Sequence, residues 1–158
     1  MTDDTPIDVR PTTAPDIPGM QRIVEETALF PPEMLPDLLQ SFLDRTAPDL
    51  WLTALRGGEA VGLCFAAPER LTDGTWNMLA LAVLPALQGG GIGGRMVAAL
   101  EDRLRDRSGR LLIVDTSGTE AFARTRRFYE KHGYHPEARI RDYWAAGDDK
   151  VTFRKRLA

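Results

Sequence analysis

Cysteine and long apolar runs are the features this sequence has least of. Its 158 residues include one cysteine, Cys64, which excludes an intrachain disulfide and lies in an apolar run that predicts a buried side chain. No stretch approaches the ~20 consecutive apolar residues of a membrane span. Met1 is followed by Thr2 and two acids rather than by a basic targeting segment. We therefore expect a cytoplasmic protein with no membrane partner.

Positive charge is also in slight deficit, since 20 Lys and Arg face 23 Asp and Glu, for a formal net charge of −3. This balance argues against nucleic acid as a partner. Residues 1–90 carry 5 basic and 13 acidic groups, whereas residues 91–158 carry 15 and 10. The asymmetry suits an anionic cofactor and a cationic substrate, although chance explains it about as well.

The apolar pattern predicts a single domain over residues 1–158 that mixes helices and strands. Thr13 and Asp16 form a capping-box pattern before a helical stripe, which ends at prolines after Phe30. Pro32 opens a second amphipathic helix that reaches Leu43. The further predicted elements are strands over 50–55, 59–66 and 76–83 (the last buried on both faces), a helix over 92–108, a parallel strand over 111–114, a helix over 125–132 capped by Gly133, and strands over 134–142 and 149–155.

The most informative segment is 88–94, Gln-Gly-Gly-Gly-Ile-Gly-Gly, with five glycines in seven positions between a predicted strand and a predicted helix. Without β-carbons, backbone N–H groups can close around phosphate oxygens, and the start of the helix favours negative charge. A plain turn rarely needs more than one or two glycines. The segment therefore predicts a pyrophosphate-binding loop.

A dinucleotide-binding loop is the main rival interpretation. Gly89, Gly91 and Gly94 satisfy the G-x-G-x-x-G fingerprint, and Asp115 follows 21 residues after the last of them. Five residues separate Val83 from the first glycine, however, and only 64 residues remain after the last. In a dinucleotide-binding fold the glycine turn follows its strand immediately, and several further βα units come after the fingerprint. The absence of a Gly-Lys-Ser/Thr sequence removes a P-loop nucleotide site.

Two segments resemble the GNAT superfamily of N-acetyltransferases. Residues 82–85 (AVLP) followed by 88–93 (QGGGIG) resemble its acetyl-CoA signature, and residues 127–134 (RFYEKHGY) resemble its later motif. The resemblance implies an α/β (α+β) GNAT fold, a mixed and mostly antiparallel sheet of about six to seven strands flanked by helices. It also implies that the sheet splays at the cofactor cleft, between the Trp76 and Leu111 strands. The implied cofactor is acetyl-CoA (coenzyme A), and no metal is expected.

The same resemblance assigns the cofactor contacts. It implies that Gln88 and the amides of Gly89 to Gly94 hold the pyrophosphate, while backbone groups at the end of the preceding strand pair with the pantetheine arm as an added strand would. A backbone amide there would also donate to the thioester oxygen. The expected cofactor-binding residues are Leu81, Ala82, Val83, Gln88, Gly89, Gly90, Gly91, Ile92, Gly93 and Gly94.

Tyr129 matches the family position that donates a proton to the departing thiolate, so the resemblance implies a general acid there. Residue type alone would equally explain a tyrosine packed beside Phe128. No base is assigned, because the strand that begins at Trp76 carries no acid. Asp115 and Asp142 are the available carboxylates, and Glu25 or Glu26 could enter from the first helix, although each is also explained as a solvated or capping residue.

The acceptor is the least determined part of the prediction. Segment 141–150 resembles the hairpin with which protein N-terminal acetyltransferases grip a peptide, but Trp144 and Asp148 depart from that pattern. We predict acetyl transfer to a primary amine of a small molecule by direct attack in a ternary complex. The alternatives are a protein or peptide N-terminal acetyltransferase, a non-catalytic acyl-CoA-binding module and a dinucleotide-dependent oxidoreductase, and a homodimer is possible. Candidate acceptor-binding residues are Phe30, Trp76, Asp115, Asp142 and Tyr143.

Overall fold

The computed structural model describes residues 5–158, so the N-terminal residues on which the absence of a targeting segment was judged lie outside it. Its elements follow the predicted order closely. They are β1 (Ile7–Pro11), α1 (Ile17–Thr27), α2 (Leu35–Leu43), β2 (Leu50–Arg56), β3 (Glu59–Pro68), β4 (Thr75–Val83), α3 (Ile92–Asp106), β5 (Leu111–Ser117), α4 (Ala123–Lys131), β6 (His135–Ala145) and β7 (Asp148–Arg156). None of the helices in residues 5–158 has the length and apolar character needed to cross a bilayer.

The strands of residues 5–158 form one seven-stranded sheet in the order β1-β2-β3-β4-β5-β7-β6. Pairs β1–β2, β2–β3, β5–β7 and β6–β7 are antiparallel, whereas β4 and β5 are parallel. The β4–β5 ladder covers only Thr75–Asn77 against Leu111–Ile113. The predicted mixed, mostly antiparallel sheet is confirmed.

Contacts group the chain into two compact units. The first runs to Ala67 and includes Ala80–Arg103, and the second comprises Pro68–Leu79 with Leu104–Ala158. β4 and α3 each contribute residues to both units. The single domain over 1–158 stays a prediction.

Capping and a close helix–sheet approach organise the first unit. The predicted pair is confirmed, because the Thr13 amide donates to Asp16 Oδ2 at 2.9 Å, and it caps a 3₁₀ turn (Ala14–Asp16) that leads into α1. Arg10 donates to both carboxylate oxygens of Asp16, at 2.7 and 2.9 Å. Burial by itself would raise the pKa of Asp16, but the bonds from Arg10 and Thr13 outweigh it and lower that pKa. At Gly19 an added Cβ would lie only 2.9 Å from the Ala60 Cβ, so glycine at this position allows α1 to pack closely on β3.

The β2–β3 hairpin forms as predicted, and its turn glycines Gly57 and Gly58 have φ of 57° and 81°. These positive values fit the tight hairpin turns that glycine favours. Cys64 on β3 is fully buried, as predicted, and burial raises the pKa of its thiol to about 12. The thiol is therefore a packing group in the core of this unit.

One expectation about β4 is wrong. The strand was expected to be buried on both faces, yet Leu79 is 54% exposed. Its neighbours Met78 and Ala80, on the opposite face of the strand, are 2% and 7% exposed, so one face of β4 is covered and the other is open at Leu79. An apolar run indicates a strand, but what packs on each face of the sheet decides how much of that run is covered.

In the second unit, β5 lies between β4 and β7, and β6 forms the sheet edge. The core includes Tyr134 and Phe153, both 1% exposed. α4 ends at Lys131, and Gly133 has φ of 88°, which confirms the predicted glycine after the helix. All residues of β6 are exposed.

Candidate active site

The glycine loop of the first unit has the backbone geometry that the sequence predicted. Gly89 and Gly91 have φ of 86° and 87°, in the region that favours glycine. An added Cβ at Gly91 would meet nothing within 4 Å. Backbone conformation, rather than crowding by neighbours, therefore explains glycine at position 91.

The loop places backbone N–H donors at the start of α3. The Arg95 amide donates to the Gly91 carbonyl at 3.1 Å, which is the first turn of the helix. The amides of Ile92, Gly93 and Gly94 therefore have no acceptor within the helix. The first turn contains no acidic residue. These donors and the helix dipole fit the pyrophosphate of coenzyme A.

Gln88 and Val83 are brought together, because Gln88 Nε2 donates to the Val83 carbonyl at 3.1 Å. This bond ties the loop to the end of β4. The next residue, Leu84, donates its amide to the Val61 carbonyl at 2.9 Å, which anchors the same point to β3. Ala82 and Val83 are buried and Leu81 is half-buried. The strand end and the loop thus form one continuous, fixed backbone segment.

Tyr129 of α4 lies in an aromatic cluster of the second unit and is 6% exposed. Its ring centroid is 5.6 Å from that of Phe153, 5.9 Å from Tyr134 and 5.4 Å from Phe128. Such packing holds the ring in one orientation. The general-acid role stays a prediction, and both interpretations of this tyrosine fit its surroundings.

Two aromatic candidates for acceptor binding fall in different units. Phe30 follows α1 in the first unit and is half-buried. Trp76 on β4 is 6% exposed, and the Arg107 guanidinium lies 5.9 Å from the centre of its ring in a cation–π contact. Trp76 therefore packs within the second unit.

The remaining candidates for substrate binding form hydrogen bonds or ring contacts within the second unit. Asp115 accepts a hydrogen bond from Thr152 Oγ1 at 2.6 Å. Asp142, with φ of 56°, accepts from the Gly147 amide at 2.8 Å and so closes the end of the β6–β7 hairpin. Tyr143 is 51% exposed, and Lys150 Nζ lies 4.2 Å from the centre of its ring. Substrate contacts of Asp115, Asp142 and Tyr143 stay predictions.

The hairpin residue Asp148 also has a local partner. Its Oδ1 accepts a hydrogen bond from Ser117 Oγ at 2.5 Å, where β5 ends. Next to it, hydrogen bonds from the Asp142 amide and the Arg139 guanidinium lower the pKa of Asp149. The acids of segment 141–150 thus organise the hairpin.

Sequence reasoning missed one polar pair in the second unit. It found no acid on β4, but the connection before β4 supplies one, because Asn77 Nδ2 donates to Glu69 Oε1 at 2.9 Å. Asn77 is 7% exposed, and its Oδ1 receives no hydrogen bond from residues 5–158. Leaving a buried acceptor without a donor costs about 1–3 kcal/mol. A lone asparagine in an apolar strand was the available signal.

No group of three His, Cys, Asp or Glu side chains in the described part of the chain is arranged to hold a metal ion.

Comparison with known proteins identifies the family. The model of the acetyltransferase (GNAT) family matches residues 18–134, and the chain belongs to that family. A solved GNAT-family protein from Desulfovibrio desulfuricans is 31% identical, with a TM-score of 0.87, over 97% of this chain and 100% of that chain. A search of curated proteins found no match.

More distant structures share the fold. An aminoglycoside 6'-N-acetyltransferase in complex with coenzyme A is 18% identical, with a TM-score of 0.76, over 96% of this chain and 97% of that chain. A ribosomal-protein-alanine N-acetyltransferase from Brucella melitensis is 21% identical, with a TM-score of 0.77, over 94% and 99%. By its family, the protein is an acetyl-CoA-dependent acetyltransferase.

Proposed function

We propose that the protein transfers the acetyl group of acetyl-CoA to a primary amine of a small molecule, by direct attack of the amine in a ternary complex. The observation that carries this proposal is the glycine loop at the start of α3, where Gly89 and Gly91 have positive φ and the following amides have no helical acceptor. This arrangement of backbone N–H donors suits an anionic cofactor.

Cofactor binding is proposed for the ten residues of the first unit that the motif indicates. The amides of Ile92, Gly93 and Gly94 would receive the pyrophosphate, and Gln88 would hold the loop against Val83. The backbone of Leu81, Ala82 and Val83 would pair with the pantetheine arm. Bound acetyl-CoA supplies an acetyl thioester, and the residues of the chain bind and orient it.

Tyr129 is proposed as the general acid that returns a proton to the leaving thiolate. Two facts support it: the residue occupies the tyrosine position of the motif over residues 127–134, and its ring is held by Tyr134 and Phe153. A ring that cannot rotate away keeps its hydroxyl in one place, which proton transfer requires.

A peptide or protein N-terminus is the second candidate acceptor. The observation that favours it is the exposed edge strand β6, where Tyr143 and Trp144 are 51% and 49% exposed. An edge strand can add an extended peptide by main-chain hydrogen bonds. A ribosomal-protein-alanine N-acetyltransferase is among the proteins that share the fold.

We also propose that the protein is cytoplasmic and forms a homodimer. The half-exposed Ile140, Tyr143 and Trp144 on β6 would also be covered if a second copy bound there. Sedimentation of the purified protein measures the assembly directly: a single species at the monomer mass over a wide concentration range would remove the homodimer.

The function is tested in two steps with the purified protein. Calorimetric titration with acetyl-CoA, free coenzyme A and NADH should show binding of the first two. Thiol release from acetyl-CoA is then followed across primary amines and short peptides. Release that depends on a small amine supports the proposal, and release that only peptides elicit supports the second candidate. Binding of NADH without binding of acetyl-CoA would overturn both.

A further inference from the structure

The pair Glu69–Asn77 in the second unit contains a polar atom that the fold leaves unused. Asn77 is 7% exposed, and its Nδ2 donates to Glu69 Oε1 at 2.9 Å. A carboxylate accepts hydrogen bonds only, so this contact fixes the orientation of the amide and turns Oδ1 away from Glu69. No donor from residues 5–158 reaches Oδ1. Buried amide oxygens of this kind are rare, and a ligand donor would satisfy this one.

The charge of the pair indicates what kind of donor it would receive. Within residues 5–158, no Lys or Arg forms an ion pair with Glu69, whose side chain is bonded by Asn77. The residue is half-buried, so a ligand can approach it. One carboxylate and one amide oxygen present acceptors alone, with a charge of −1. Such a set selects a cationic donor, and a primary ammonium group provides three N–H bonds and the matching charge.

Both side chains start from a fixed backbone. The Glu69 amide donates to the Thr75 carbonyl at 2.8 Å, and Thr72 Oγ1 donates to the Glu69 carbonyl at 2.9 Å. Asn77 is paired with Ile113 in the parallel β4–β5 ladder. The backbone that carries both acceptors is therefore held in place before a ligand arrives, which lowers the entropy cost of binding.

We propose that Glu69 and Asn77 bind the primary ammonium group of the acceptor, with one N–H donating to Asn77 Oδ1 and the positive charge beside the Glu69 carboxylate. This inference rests on the proposed function for the identity of the ligand as the acceptor. A turn-stabilising hydrogen bond alone would account for Nδ2 and Glu69 but would leave Oδ1 without a purpose.

Asn77 is the only asparagine in the sequence, which allows a direct test. Protein labelled with ¹⁵N-asparagine alone gives one side-chain NH₂ signal pair, and it is titrated with n-butylammonium chloride or with n-butanol as the uncharged control. We expect a saturable shift with n-butylammonium and none with n-butanol. Absence of a saturable shift with n-butylammonium, or equal shifts with both probes, would overturn the proposal.

The variant Glu69→Gln removes the charge and keeps the shape of the side chain, and Glu120→Gln at an exposed position of the same unit is the matched control. Glu69→Gln should weaken n-butylammonium binding at least about tenfold, as expected for loss of a charged hydrogen-bond partner, and the control should not. Far-UV circular dichroism and thermal unfolding establish that both variants fold. Equal affinities in wild type and folded Glu69→Gln would contradict the proposal.

Kinetics separate this inference from the proposed function. With the best amine of the thiol-release panel, Glu69→Gln should raise the KM for the amine at least about tenfold and leave the KM for acetyl-CoA unchanged. If wild type releases no thiol with any amine, the proposed function fails, while the shift of the Asn77 signals still reports on the pair. If wild type is active but those signals do not respond, the pair is not the amine site.

Discussion

The two compact units use different parts of the chain for their predicted tasks. In the first unit the candidate functional groups are backbone amides at the start of α3, and the ion-paired side chains of Arg10 and Asp16 support the fold. In the second unit the candidate groups are the side chains of Tyr129, Glu69 and Asn77. Function at a backbone site is lost when an added side-chain atom or a change in φ moves the chain. Function at a side-chain site is lost when one functional atom is removed.

The largest expected effect comes from removing one oxygen in the second unit. Tyr129→Phe should lower kcat by about a hundredfold or more, as loss of a general acid does, while the ring keeps its packing. Calorimetry should show unchanged acetyl-CoA affinity. Tyr134→Phe, which alters the neighbouring ring 5.9 Å away, is the matched control. Equal kcat values for wild type and Tyr129→Phe would show that this tyrosine only packs.

The next effect concerns the side-chain pair of the first unit, which should matter for stability and not for catalysis. Asp16→Asn should reduce the free energy of unfolding at neutral pH by about 1–3 kcal/mol, the range for a charged hydrogen bond. Chemical denaturation measures it. The variant should keep its kcat/KM for acetyl-CoA where it is folded. A large loss of kcat/KM in the folded variant would contradict the expectation that this pair affects stability alone.

The same pair predicts a pH dependence. The pKa of Asp16 is lowered in the folded protein, so its carboxylate stabilises the fold above its unfolded pKa and this contribution is lost as pH falls through the folded value. Wild type should therefore lose stability from about pH 4 downward, and Asp16→Asn should lose less over that range. Parallel curves for the two proteins would contradict the assignment.

The smallest effect comes from adding one methyl group to the backbone site. Gly91→Ala should weaken acetyl-CoA binding about tenfold, or about 1.4 kcal/mol, because alanine disfavours φ of 87° and the loop would shift. Gly147→Ala is the matched control, since its φ is 79° and an added Cβ also meets nothing within 4 Å. If both variants bind acetyl-CoA as wild type does, the loop is not the cofactor site.

Much of the architecture was predictable because it rests on local signals. The capping pair at Thr13 and Asp16, the hairpin glycines at 57 and 58, and the glycine after α4 each act within a few residues. The glycine loop is local in the same sense, because positive φ and free helix N-terminal amides follow from adjacent residues. The family likewise follows from contiguous motifs.

The side-chain contacts of the second unit were predicted less well. Glu69 and Asn77 are eight residues apart, and whether they meet depends on the turn that connects β3 to β4. The hydrogen bond that Asp142 accepts from the Gly147 amide across a hairpin turn was not predicted either. The 54% exposure of Leu79 depends on what packs on its face of the sheet. Apolar periodicity and short motifs carry none of this information.

The sequence by itself determined the order of helices and strands, the glycine loop and the family, because each depends on backbone preferences of neighbouring residues. The tertiary structure decided which polar groups are satisfied and which are left over. Asn77 illustrates the difference. The apolar pattern predicts its position in β4, but its Oδ1 lacks a hydrogen bond because the fold buries the side chain beside Glu69. Burial and pairing arise from residues distant in sequence, and a local pattern cannot specify them.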